Sequence, residues 1–217
     1  MKFRKARFTW NEGDIVKETA TKAAPSQRDL AQAIAERVGM DDVDADLLMK
    51  TFFEPWNQST GNSPASQHLQ KVASKTFGFY VPKELEEMDI NWDLLYPMGE
   101  MYNITQDHLL SKGFSEGETI PVYHPYVPTA AAPKQWSKGD EVRILLAPLT
   151  SWTTNIQDAV RFADFLGSQG SPAFVIKTFI PVKSIVSTPE TGIGQPGTNE
   201  MVLAGGEYEG LVEAKFE

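Results

Sequence analysis

A lone acid, Glu200, opens the apolar run Met201-Val202-Leu203 directly after a stretch rich in Gly, Pro, Thr and Ser. Glutamate is disfavoured inside strands, so a carboxylate at the first strand position is presented to whatever the preceding loop covers. Upstream, Leu149-Thr150-Ser151-Trp152-Thr153-Thr154 joins a predicted strand to a predicted helix. On extended backbone, alternate side chains share a face. The hydroxyls of Ser151 and Thr153 then lie together and can hold a carboxylate in place by hydrogen bonds. His124 closes another segment, Val122-Tyr123-His124-Pro125; a polar side chain at a strand end, beside a loop, is a common ligand contact. Trp152, between the two hydroxyls, is large and amphipathic, a type used in cores more often than as a platform.

Other signals carry less. Gly192-Ile193-Gly194-Gln195-Pro196-Gly197 has the spacing G-x-G-x-x-G, but a dinucleotide fingerprint needs a strand before it and a helix N-terminus after it. Here a strand follows and Pro196 sits inside, so the glycines are expected to form a mobile loop. His68 and His108 have no partner at i+3 or i+4 that would build a metal site and read as surface or boundary residues. With no cysteine the chain has no thiol nucleophile and no Cys-based metal or cluster site. No metal is expected.

The elements that must position these residues change character along the chain. A length of 217 residues, 41% hydrophobic and 23% charged, fits a compact domain with a buried core. Residues 1–117 read as a helical N-terminal region. Ser26 caps a helix with Leu30, Ile34 and Val38 on one face. A second helix runs from about Asp42 and is expected to stop at Pro55. A third follows Ser63-Pro64, with Leu69, Val72, Ala73 and Phe77 inward, and a short one spans Thr105 to Lys112. Residues 118–217 turn to strands: Thr119–Tyr123, Glu141–Ala147, Ala173–Ile180, Ser184–Val186, Glu200–Ala204 and Gly210–Phe216. One helix, capped by Asn155, buries Ala159, Phe162, Ala163 and Leu166. The class is α+β. No apolar run is long enough to span a bilayer, and the basic start, with Lys2, Arg4, Lys5 and Arg7, lacks the apolar core of a signal peptide. A net charge of −9 argues against a general nucleic-acid coat, although those four basic residues mark a local patch.

In this order, a strand ending in a polar residue, an S-x-T segment entering a helix, and a loop before a strand-opening Glu resemble the mono-ADP-ribosyltransferase fold. The resemblance is to bacterial exotoxins and, most of all, to transferase domains encoded by phages and prophages. Leu149 to Ala163 is similar to the second landmark and its helix, and Val182 to Gly206 to the acceptor-recognition loop and catalytic strand. The resemblance implies a pair of small, mostly antiparallel sheets around an NAD cleft, with a helical portion ahead of them. It implies NAD as substrate, a host protein or nucleic acid as acceptor, and action in the host cytoplasm or within a virion. Glu200 would stabilise the oxocarbenium-like transition state, Ser151 would hold it, and Thr153 would support the same strand. His124, Tyr123, Trp152 and Phe162 would contact NAD, Arg161 is a further charge on the same helix, and Thr198 and Asn199 would meet the acceptor. Two departures stand out. The first landmark is usually Arg; here it is His124, with Arg143 as the rival. Thr198 stands where the family has Gln or Glu, and Glu207-Tyr208-Glu209 spells the alternative acidic motif. Hydrolysis of NAD by water, or a non-catalytic binding or virion-associated role on the same fold, are the competing expectations.

Overall fold

The computed structural model describes residues 25–58, 63–78, 83–115, 117–128, 136–170, 172–195 and 197–216; the basic residues Lys2, Arg4, Lys5 and Arg7 lie outside them. Helix α1 (Gln27–Val38) begins at the Ser26–Asp29 capping box and ends at Gly39 in the left-handed region, where glycine carries no Cβ penalty. Its buried stripe of Leu30, Ala31, Ile34 and Ala35 is the one the spacing predicts. The next helix does not stop at Pro55. Helix α2 (Ala45–Leu48) passes through a π turn, Met49–Phe53, into α3 (Glu54–Gln58). The Glu54 N–H reaches back to the Met49 carbonyl, so the ladder is already widened where the proline ring and its missing N–H must fit. Helix α4 (Pro64–Phe77) follows its Ser63 cap, and α5 spans Lys83–Glu86. Helix α6 covers Leu95–Ser111, well beyond the expected Thr105 to Lys112. Pro97 falls in its first turn, where proline is tolerated.

Seven strands form one antiparallel sheet among the described residues: β1 (Thr119–Tyr126), β2 (Glu141–Leu146), β3 (Thr150–Thr153), β4 (Ala173–Pro181), β5 (Ile185–Ser187), β6 (Glu200–Leu203) and β7 (Gly206–Phe216). Their order is β2-β7-β4-β1-β3-β6-β5. The expected pair of sheets is one continuous ladder, because β1 and β3 are paired through Tyr123 and Thr153. That sheet folds over on itself. The rings of Trp152 on β3 and Tyr208 on β7 lie 5.3 Å apart, although three strand spacings of a flat sheet separate those strands by roughly 14 Å. The enclosed inner face gathers Val122, Val142, Ile144, Trp152, Phe174, Ile176, Ile185, Leu203 and Val212 into one core.

Outside, the two halves carry different cover. The helical layer packs Leu30, Ile34, Phe52, Phe53, Leu69, Val72, Met98 and Met101 against Val186 and Val202 of β5 and β6. Helix α7 (Ile156–Gly167) lays Ala159 and Ala163 on Tyr123, Ala173 and Val175. No described helix is long and apolar enough to cross a membrane.

Candidate functional site

The β3–β6 ladder brings the predicted acid and hydroxyl together. Thr153 sits directly opposite Glu200 and Ser151 opposite Val202, so Ser151 is the diagonal neighbour of Glu200 on the same face, within reach of a long side chain. The Ser151 hydroxyl donates to Glu200 Oε1, and the Gln195 backbone N–H donates to Oε2. Thr198 closes the turn between them. Its hydroxyl donates to the Gln195 carbonyl at 2.7 Å and accepts from the Glu200 N–H at 3.3 Å. Both carboxylate oxygens are thus held before any ligand arrives, the preorganisation that electrostatic catalysis depends on. Leu149, entering β3, has φ +59°, the left-handed region that a non-glycine residue rarely adopts.

The remaining candidates are distributed over both faces. Thr153 is buried and its hydroxyl accepts from the Asn155 N–H at 3.1 Å, so it anchors the start of α7. Asn199 takes the Thr154 N–H on its carbonyl at 3.3 Å, and its side-chain amide donates to Asp158 on α7 at 3.4 Å. Glu200 therefore stands between α7 on one side and the segment around Gln195 on the other. Tyr123 shares the Glu200 face through the row Tyr123–Thr153–Glu200, but lies beneath α7 at 7% exposure. Trp152 points into the inner core at 1% exposure, its indole N–H without a hydrogen-bond partner. Phe162, expected in the buried face of α7, is instead 54% exposed.

His124 faces the inner side, its ring 4.9 Å from that of Trp152, while alternation puts Tyr123 and Glu200 on the outer side. Its Nδ1 lies 2.8 Å from the Ser151 carbonyl. A carbonyl only accepts, so Nδ1 carries the proton and donates. Burial pushes the ring's pKa from 6.5 down to about 4, against the opposing effect of that hydrogen bond. The neutral ring then offers Nε2 as an acceptor and cannot donate to an NAD oxygen, the kind of contact the resemblance implied for His124. What His124 demonstrably holds is the Ser151 backbone.

Arg143 is engaged elsewhere. It donates to Glu209 at 2.6 Å and pairs with Glu207 at 3.0 Å on the exposed side of β2 and β7. One cation thus occupies both acids of the alternative motif, at the sheet edge remote from β6 in the strand order. Arg161 is an exposed side chain 3.9 Å from Asp158.

The first part of the glycine-rich segment is packed rather than open, while Gln195 and Gly197 are exposed and Pro196 lies outside the described residues. Gly192, Ile193 and Gly194 are buried. A Cβ on Gly192 would overlap the Met101 side chain and come within 2.7 Å of Ser187 Oγ, and one on Gly194 would meet the Pro189 backbone at 2.8 Å. A hydroxyl cluster fastens the segment to α6: Thr105 and Thr191 are bonded at 2.8 Å, Thr188 and Thr191 at 3.0 Å. His108, assigned a bland surface role from sequence, pairs with Glu190 at 2.8 Å. These contacts hold residues 188–191, four to seven positions before Gln195, against α6. Their sequence signal, Ser/Thr clustered around glycines, was visible; their partner helix was not.

No family model, curated protein or solved structure matches this chain. Among the described residues no cluster of His, Asp and Glu could hold a metal ion. Two open cavities, of about 1010 and 580 Å³, lie along β2–β7–β4 and beside α6, and neither borders Glu200.

Proposed function

We propose that this chain is a mono-ADP-ribosyltransferase that cleaves NAD at the nicotinamide–ribose bond and passes ADP-ribose to a macromolecule. The observation that carries the reading is the Glu200 carboxylate held by Ser151 and the Gln195 N–H. Breaking that bond leaves oxocarbenium-like positive charge on the ribose. A fixed carboxylate stabilises it without having to reorganise. Ser151 is a positioning residue in this scheme, and His124 supports it through the Ser151 carbonyl. Thr153 holds the β3–α7 junction, and Thr198 and Asn199 shape the rim the acceptor must pass. Of the aromatic residues expected to contact NAD, Tyr123 and Trp152 are buried, and the exposed Phe162 lies on the outward side of α7.

A second reading, a binding or virion-associated protein with no catalysis, draws on a different observation. Both Glu200 oxygens already have partners, and neither of the two cavities described above borders the residue. Incubation with NAD labelled in the adenylate half, with and without cell lysate, separates the cases. Labelled macromolecules support the transferase, free ADP-ribose alone means a glycohydrolase, and no nicotinamide release at all leaves the binding reading.

A further inference from the structure

The outward side of α7 carries two large aromatic side chains that the core does not use. Phe162 and Phe165 are 54% and 58% exposed, with ring centroids 6.4 Å apart. Together with Asp158 they fall at i, i+4 and i+7, a single stripe of the helix. The Asp158 end of that stripe is joined to the site by the Asn199 amide, and Asn199 immediately precedes Glu200. From there the stripe runs outward for about 10 Å, the rise of seven helical residues. Single exposed apolar residues need no explanation; two adjacent rings on a stripe whose first residue bonds the neighbour of the candidate carboxylate do. Exposed Asp164 adds negative charge, and Arg161 is already beside Asp158 at 3.9 Å.

We propose that the Asp158–Phe162–Phe165 stripe is the docking surface for the acceptor, and that the acceptor is a protein whose contacting face is apolar with Lys or Arg at its edge. This rests on the transferase reading. The Asn199–Asp158 contact puts the start of this stripe beside the approach to Glu200, so a macromolecule that reaches the ribose there meets it. A nucleic acid would bring its phosphates against Asp158, Asp164 and Glu200, whereas an apolar, cationic protein face meets both the rings and the acids. In the transfer step a nucleophile of the docked protein forms a bond to ribose C1′ as the C1′–nicotinamide bond breaks. That bond's electron pair leaves with neutral nicotinamide, and the nucleophile's proton passes to solvent.

The probes are a fluorescent helical peptide of Leu and Lys, its counterpart with Ser replacing Leu at equal charge, and a single-stranded oligonucleotide. Wild type and Phe165→Ser are compared by anisotropy, after melting curves show that both fold. The Leu/Lys peptide is expected to bind wild type at least about tenfold more tightly than the Ser/Lys peptide, and Phe165→Ser to lose about fivefold to tenfold, as a central aromatic contact does. ADP-ribose transfer to the Leu/Lys peptide should fall by a similar factor, about fivefold to tenfold, while nicotinamide release without acceptor stays within about twofold. Equal binding and labelling by Phe165→Ser, equal binding of the two peptides, or a preference for the oligonucleotide overturns the docking surface and leaves the transferase reading intact. Absence of nicotinamide release by wild type removes both.

Discussion

Glu200→Gln isolates charge from shape at the candidate site. The amide is isosteric, and its oxygen can still accept from the Gln195 N–H. Its NH2 group can donate to the Ser151 hydroxyl, whose own proton rotates away. The two hydrogen bonds to a half-buried carboxylate become two neutral ones, so stability should fall by only about 1 kcal/mol. The transition state loses much more. Removing one preorganised electrostatic partner from an active site costs about 3–4 kcal/mol, a factor of roughly 100 to 1000 in turnover. The assay is nicotinamide release under saturating NAD, with thermal melting of the same preparations. Glu207→Gln and Glu209→Gln serve as paired controls, because Arg143 already engages both acids; they should stay within about twofold of wild type by the same kinetic reading. A Glu200→Gln protein that melts normally and keeps more than about a tenth of the wild-type rate would refute the electrostatic assignment. Loss of activity in Glu207→Gln or Glu209→Gln would move the catalytic acid to β7.

Ser151→Ala leaves Glu200 one of its two partners, so kcat should fall about 10- to 100-fold with KM within about twofold; a rise in KM at constant kcat in steady-state kinetics would make Ser151 a substrate contact instead. His124 stays neutral in the fold with a pKa of about 4 but takes up a proton near 6.5 when unfolded. Its contribution to stability is therefore intact above about pH 6.5 and lost as pH falls through 4, by about 3 kcal/mol at the limit. Melting curves from pH 7 to 4.5 should fall more steeply for wild type than for His124→Phe, and parallel curves would contradict the assignment. Gly192→Ala forces a methyl group onto Met101 and Ser187 and should cost about 1–3 kcal/mol in urea denaturation; an unchanged midpoint would mean the segment is not packed on α6. Thr191→Val leaves the Thr188 N–H without its acceptor and takes the Thr191 partner from the Thr105 and Thr188 hydroxyls, which keep the Met101 carbonyl and the Glu190 N–H; the expected loss is about 1–3 kcal/mol by the same measurement, and an unchanged midpoint would mean the cluster does not fasten the segment.

Local chemistry made several elements readable in one dimension. Ser26 with Asp29, Ser63 with Pro64, and Asn155 each announce a helix start through a side chain that caps its own backbone, and all three caps are present. The strand-opening Glu200 and the alternation of Ser151 with Thr153 were equally local, and a single antiparallel register suffices to bring Ser151 to Glu200. Where such cues conflict with long-range packing, the reading fails. Pro55 marks a stop by propensity, yet a π turn upstream and the burial of Phe52 and Phe53 carry the helix through it. The glycines of 192–194 signal freedom, yet Met101 and Pro189 leave them none.

The site's other half belongs to tertiary structure alone. Which side of β1 faces Glu200 depends on the register with β3, and that register puts Tyr123, not His124, in the row. The fold-over that seats Trp152 on Tyr208 decides that the tryptophan is core rather than platform. Periodicity names the residues that share a face, because it follows from the backbone repeat of a single element. It cannot say which two faces meet, because that depends on how separate elements bury their apolar area against one another. Glu200 and Ser151 could be named from sequence because one ladder joins them; the joining of Thr105 on α6 to Thr191 and Thr188 could not, because it needs α6 and the segment after β5 packed together in space.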